Sequence, residues 1–215
     1  MKLKRIFALL LAFAALVLSL TACSSAKTEA GTTTVKLGVV GGIYEDLWKP
    51  AQEALKAEGI DLQIVQFSDY VTPNNALNSG DIDLNAFQHQ IYLDNEVEQQ
   101  GYKIQSIGYT FIIPLNIYSH KVKAISDIKD GDVVAIPDDV TNGGRAIKVL
   151  AAAGLITLKE DAGFNPTLED IKTYNTKITI KELKANTIPS VLDDVTAAVV
   201  NGNYALDFGL KTEEA

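Results

Sequence analysis

One cysteine and two histidines are all that this 215-residue chain offers of the side chains that most often bind metals or attack substrates. A lone Cys23 excludes an internal disulfide and a thiolate metal cluster. His89 and His120, scattered among carboxylates, make no dense ligand set, so no metal site is expected. The chain contains no G-x-S-x-G elbow and no H-E-x-x-H helix, and nothing sets an activated nucleophile beside a base. It therefore reads as non-catalytic, with no cofactor. A nucleotide fingerprint is missing too: Gly41-Gly42 fits neither G-x-G-x-x-G nor G-x-x-x-x-G-K-[ST], and reads as a tight strand-to-helix turn. Positive charge is also scarce, with 19 Lys and Arg against 27 Asp and Glu for a net charge of −8. That balance argues against nucleic acid as a partner and against adsorption on anionic headgroups.

What is present starts at the N-terminus. Lys2, Lys4 and Arg5 precede an apolar run, Ile6 to Leu20, whose 15 residues fall short of a membrane span, which needs roughly 17–25. Such a basic start followed by a short apolar run is the pattern of an export signal. The run ends in Leu20-Thr21-Ala22-Cys23, which resembles a bacterial lipobox, small residues before a cysteine that is lipidated and becomes the mature N-terminus. Residues 1–22 read as a lipoprotein signal peptide. Two or more acyl chains on Cys23 would hold the protein to the membrane, exposed on the outer side of the cytoplasmic membrane. Residues 23–34, small and polar with no large apolar side chain, read as a flexible tether. Removing the signal peptide takes away three basic residues and no acidic ones, leaving 16 against 27, a balance of −11.

From Val35 onward, short β-rich runs alternate with helical patterns, which predicts an α/β architecture with parallel strands. Strands are expected at Val35–Val40, Asp61–Phe67, Lys103–Ile107, Asp132–Ile136, Ile178–Leu183 and Ala197–Val200. Helices are expected at Tyr44–Glu58, with Leu47, Ala51, Ala54 and Leu55 on one face, at His89–Gln100 and at Asn142–Ala153. Shorter ones are expected at Ile125–Ile128 and Ile188–Leu192. Thr72-Pro73 reads as a cap and first turn opening a short helix that Gly80 ends. The apolar run broken by Pro114, within Tyr109–Ser119, reads as a crossover between lobes, because proline fits poorly inside a central strand. The expected lobes are residues 35–114 and 115–200, with 201–215 starting a return to the first.

Two clusters suggest a binding cleft. Tyr70, Phe87, His89 and Tyr92 sit at turns and helix starts and not on one periodic face, and groups at strand ends in α/β proteins face ligand crevices. Asn142-Gly143-Gly144-Arg145 falls at a helix N-terminus, where free N–H groups and the dipole attract anions. The glycines there allow close backbone approach, and the Arg145 fork matches a carboxylate. A third segment, Val200-Asn201-Gly202-Asn203-Tyr204-Ala205, follows an apolar strand and offers Asn201 or Asn203.

The run F-x-D-Y-x-x-P-N-x-A-L-x-x-G-x-I-D-x-N-x-F-Q-H-x-x-Y-L, from Phe67 onward, resembles the signature of the methionine-binding lipoproteins (the MetQ/NlpA family), solute receptors of methionine ABC importers. The likeness covers about Val35 to Leu210. It implies a two-lobed fold of the type II periplasmic-binding-protein kind, and an ABC permease and ATPase as partners. It implies L-methionine or D-methionine as ligand, with the side chain held by Tyr70, Phe87 and Tyr92. His89 would stand in the ligand-binding wall, Asn142 would be a further ligand-binding residue, Arg145 would hold the α-carboxylate, and Asn201, more than Asn203, would hydrogen-bond the bound amino acid. Family members run on past the last residue here, so a C-terminal part is expected to be missing. Another amino acid, a methionine-containing dipeptide or, less well supported, a metal ion remain alternative ligands.

Overall fold

Strand β1, Thr33–Val40, is exposed at its start and fully buried over its last four residues, Leu37 to Val40. This gradient identifies a central strand, since a strand covered on both faces carries a continuous apolar run. It lies between β2, Ile60–Phe67, and a two-residue β3, Leu84–Asn85, with which it pairs in parallel through Leu37–Leu84 and Gly38–Asn85. The computed structural model describes residues 31–215, so the signal peptide and Cys23 lie outside the described residues.

Helix α1, Gly42–Ala57, covers this sheet with a stripe of Tyr44, Trp48, Ala51 and Leu55 packed on Leu37, Val39 and Leu62. The expected face was displaced by part of a turn: Leu47 is 47% exposed and Ala54 is also outside. Helix α2, Thr72–Ser79, begins at Thr72 and ends at Gly80 in the left-handed region with φ 83°. Its cap is not Thr72. Asp69 accepts from the backbone N–H groups of Val71 and Thr72, each at 2.8 Å, and from the Thr72 hydroxyl. Helix α3, Gln90–Gln100, has His89 as its N-cap and not as its first residue. The strand expected at Lys103–Ile107 does not form: residues 101–114 have no regular structure. A strand needs a hydrogen-bonded neighbour. What holds this segment at its start is Tyr102 and the Lys103 N–H donating to Asn75 and Asn78 of α2.

The second sheet contains β4, Leu115–Tyr118; β5, Val133–Pro137; β8, Thr179–Leu183; and β9, Ala197–Asn201, in the order β4-β9-β5-β8. β5 is parallel to β8 and β9, and β4 runs antiparallel to β9 with Leu115 opposite Asn201. The inner strands are buried throughout most of their length, and helix α4, Val140–Ala152, seals one face with Ala146, Ile147 and Leu150. A hairpin of β6, Ile156–Leu158, and β7, Ile171–Tyr174, was not foreseen, nor was helix α5, Gly202–Asp207. The helix expected at Ile188–Leu192 is a 3₁₀ segment, Ala185–Val191.

Between the sheets the chain passes out after Pro114 and back at Asn201–Gly202. These two passages touch, with the Gly202 N–H donating to the Pro114 carbonyl at 3.1 Å. A Cβ on Gly202 would fall onto the Ile113 side chain and 2.7 Å from the Pro114 oxygen, so only glycine fits. On the far side, Asp207 of α5 caps α1 by accepting from the Gly42 N–H at 2.8 Å. The architecture is α/β and two-lobed.

Candidate functional site

The chain leaving β3 turns into the cleft. Phe87 stacks on Tyr70, with centroids 5.8 Å apart, and Tyr92 meets both rings edge-on at 6.2 and 6.0 Å. Tyr204 of α5 closes the group, 4.9 Å from Tyr70. These offset and edge-on spacings are the favoured ones for aromatic rings. The Tyr70 hydroxyl does not point into open space. It donates to Asn203 Oδ1 at 2.6 Å, and Asn203 Nδ2 in turn donates to the Val40 carbonyl at 3.1 Å. Asn203 is thereby consumed as a tie between α5, β1 and the aromatic wall, while Tyr70 offers the wall its ring. Burial pushes the Tyr70, Tyr92 and Tyr204 hydroxyls above their ordinary pKa.

His89 joins the wall to a polar cluster. As N-cap, its Nδ1 accepts from the Tyr92 backbone N–H at 3.1 Å. The neutral ring must then carry its proton on Nε2, which faces Asn142 Oδ1 at 3.4 Å. Burial, assisted by the charge on Arg145, holds the His89 pKa below the usual imidazole value.

Asn142 is the hub of that cluster, and Asp139 fixes it. Asp139 caps α4 by accepting from the Asn142 N–H at 2.9 Å, and both of its oxygens also take the Asn142 side-chain amide. This leaves Asn142 Oδ1 free to accept, and Arg145 Nη1 donates to it at 2.8 Å and Asn201 Nδ2 at 3.0 Å, besides His89. Three donors on one amide oxygen exceed its two lone pairs. Asn201 itself is buried, and its Oδ1 has no hydrogen-bond partner among the described residues. Burial lowers the Arg145 pKa from its ordinary value, with Tyr70 and Asp139 acting the other way. A guanidinium nevertheless stays charged in a protein.

All seven residues singled out in the sequence thus form one connected group, rings on one side and polar groups on the other, with His89 between. The two glycines of the polar segment permit close packing within the protein. A Cβ on Gly143 would stand 2.9 Å from the Pro137 carbonyl oxygen, and one on Gly144 would stand 2.8 Å from Asn165 Cα. Three residues were overlooked, one of them Tyr204, which lay in the third segment beside Asn203. Asp139 immediately precedes Val140-Thr141-Asn142 and carries an ordinary cap signal. Tyr44, two residues beyond the Gly41-Gly42 turn, donates to the Phe87 carbonyl at 3.1 Å, and burial pushes its pKa up to about 12 against the pull of Arg145. A separate cavity of about 620 Å³ shares Tyr204 with the wall but contains none of the hub residues. Its carboxylates, Asp69 and Asp207, already cap α2 and α1.

An aromatic wall facing a convergent set of donors, at the seam of two sheets joined by paired crossings, defines the solute-binding class of α/β proteins. The chain belongs to the family described as NlpA lipoprotein, whose profile matches residues 35–215. It is 42% identical over 202 residues to the D-methionine-binding lipoprotein MetQ of Salmonella typhimurium, covering 93% of this chain and 74% of that one. The protein of the same name from Escherichia coli K12 is 41% identical over the same coverage. Among solved structures, a nutrient-binding protein from Burkholderia cenocepacia bound to methionine superposes with a TM-score of 0.80 at 44% identity, covering 84% of this chain and 76% of the other. No helix among the described residues is long and apolar enough to cross a membrane.

Proposed function

We propose that this protein captures methionine between its lobes and delivers it to the permease and ATPase of an ABC importer, held to the membrane by lipid on Cys23. The observation that carries the reading is the convergence of Arg145, Asn201 and His89 on a single point beside the aromatic wall. A carboxylate offers two oxygens and about four lone-pair sites where the Asn142 amide oxygen offers two. An α-carboxylate at this point would accept from Arg145, charge-assisted, with the N-terminus of α4 behind it. The α-ammonium would supply the donor that buried Asn201 Oδ1 needs. The side chain then runs along Tyr70, Phe87 and Tyr92, where a thioether sulfur gains about 0.3–1.5 kcal/mol against ring edges. Residues 35–114 and 115–200 act as the closing lobes, since the donors come from both. Methionine as the ligand is supported by relatives named D-methionine-binding lipoproteins and by a similar structure bound to methionine. Labelling with a palmitate analogue checks the anchor on Cys23.

Calorimetric titration of refolded, ligand-stripped protein with both methionine enantiomers, leucine, glutamate, lysine and methionine dipeptides tests the ligand. Methionine should bind tightest. Leucine should bind about 10–200 times more weakly, the range expected for a change of shape in an apolar pocket. Glutamate and lysine should not bind measurably, because burying an unpaired charge is costly. Tighter binding of leucine, a charged amino acid or a dipeptide would remove free methionine as the ligand.

A further inference from the structure

Behind the Phe87–His89 segment lies a closed set of primary amides that the binding site itself does not use. Asn74 of α2 is fully buried. Its Oδ1 accepts from Gln88 Nε2 at 2.7 Å and from Asn85 Nδ2 at 2.9 Å, and its Nδ2 donates to Gln88 Oε1 at 2.9 Å. Gln88 Nε2 spends its second hydrogen on Asn85 Oδ1 at 3.1 Å. Asn74 and Gln88 therefore form a reciprocal pair, and Asn85 closes the triangle from the end of β3.

We infer that Asn74 and Gln88 are positioning residues, which set where the aromatic and histidine groups of the ligand wall stand. Gln88 lies between Phe87 and His89 in the chain. Phe87 faces Tyr70 and His89 faces Asn142, whereas Gln88 reaches back to α2. Along an extended chain neighbouring side chains take opposite sides, so anchoring Gln88 behind the wall turns the two flanking residues toward the cleft. Upstream, the segment is held at Asn85 and Ala86 by β1, where the Ala86 N–H donates to the Gly38 carbonyl at 2.9 Å. Downstream, the His89 cap begins α3. Between these points Tyr44 holds the Phe87 carbonyl and Gln88 holds the segment from behind through its own side chain, and a hydrogen-bonded buried polar group of this kind favours a single geometry. Such support matters because recognition groups must be held to within a fraction of an ångström.

The inference rests on the proposed methionine site for one of its two readouts only. The chain contains two histidines, so the imidazole carbon–proton NMR spectrum holds one pair of signals from His89 and one from exposed His120, an internal control. In Asn74→Ala and Gln88→Ala the His89 signals should move and its titration midpoint should rise toward the ordinary imidazole value, with His120 unchanged. Methionine Kd, measured well below each variant's Tm, should rise about tenfold or more, as misplaced recognition groups lose affinity steeply. A purely structural role would lower Tm and leave the folded protein's His89 signals and Kd alone, and that result overturns the inference. If the wild type binds no methionine, the functional reading fails while the His89 signals still decide the positioning role. If Asn74→Ala does not fold, half-buried Gln88→Ala carries the test.

Discussion

At the scale of residues, the site is organised by an oxygen that accepts more than it can fully satisfy. Asn142 Oδ1 draws donors from the Phe87–His89 wall and from the second sheet, and the strongest of them is the charged fork of Arg145. A ligand carboxylate there would be bound mainly through Arg145. Arg145→Ala should accordingly cost about 2–5 kcal/mol of methionine binding, because truncating one member of a buried charge pair strands the other. Titration calorimetry on the folded variant checks it, and binding within threefold of wild type would show that Arg145 does not hold the carboxylate. His89 carries a pH prediction. Its folded pKa is lowered by burial and by Arg145, so below about pH 6.5, the ordinary imidazole value, the unfolded chain takes up a proton that the folded chain resists. The His89 contribution is thus complete above that pH and is lost as pH falls through the lowered folded value. Protonation would also cost the Nδ1 acceptor that caps α3. Urea midpoints should therefore be level from pH 8 to 7 and decline on acidification. His89→Asn, which keeps a capping acceptor but cannot titrate, should flatten the upper part of the decline. An identical decline in the variant would assign it to other groups. The seven side chains were singled out partly because their types sat at turns and helix starts, and mainly through the resemblance to the methionine-binding lipoproteins. The partners of Tyr70 and Asn203 were not, since a hydrogen bond spanning 133 residues of chain leaves no local pattern.

Elements were legible in proportion to the strength of their own pattern. β1, β5 and β9 carry contiguous apolar runs and formed within two residues of the expected bounds. β3 is two residues long and exists because β1 offers it hydrogen bonds, a tertiary cause with no periodic trace. The Lys103–Ile107 segment shows the reverse, with strand-like residues and no neighbour among the described residues to pair with. Helix starts were misread by a residue or two where the capping side chain came from outside the apolar pattern, as with Asp69 for α2 and Asp139 for α4. Asp139 links element to site, since it accepts both the Asn142 N–H in the first turn of α4 and the amide that orients Asn142. Asp139→Ala should lower stability by about 0.5–2 kcal/mol, the usual range for losing an N-cap. It should also weaken methionine binding, because Asn142 is then free to turn. Urea unfolding and calorimetry on the same preparation separate the two. Unchanged affinity in a destabilised variant would confine Asp139 to capping.

For the whole molecule, the decisive feature is that both passages between the sheets meet at one place. The sequence marked the outward passage through Pro114, because a proline interrupts an apolar run there. The return at Gly202 was less visible, since a glycine after a strand usually signals only a turn. In the structure the two are in contact, Gly202 donating to Pro114 with no room for a Cβ between them. The proposed closing of the lobes on a ligand would require both passages to bend together, as hinge segments absorb the change in backbone angles. Gly202→Ala would drive a methyl group into Ile113 and the Pro114 carbonyl. Overpacking of that kind costs about 1–3 kcal/mol, and it should also stiffen the crossing or force it apart. We therefore expect a lower urea midpoint and a smaller methionine-induced decrease in the radius of gyration by small-angle scattering. The wild type should contract on adding methionine. A Gly202→Ala protein with wild-type stability and full contraction would place the hinge elsewhere, because the crossing would then have shown that it can give way without cost.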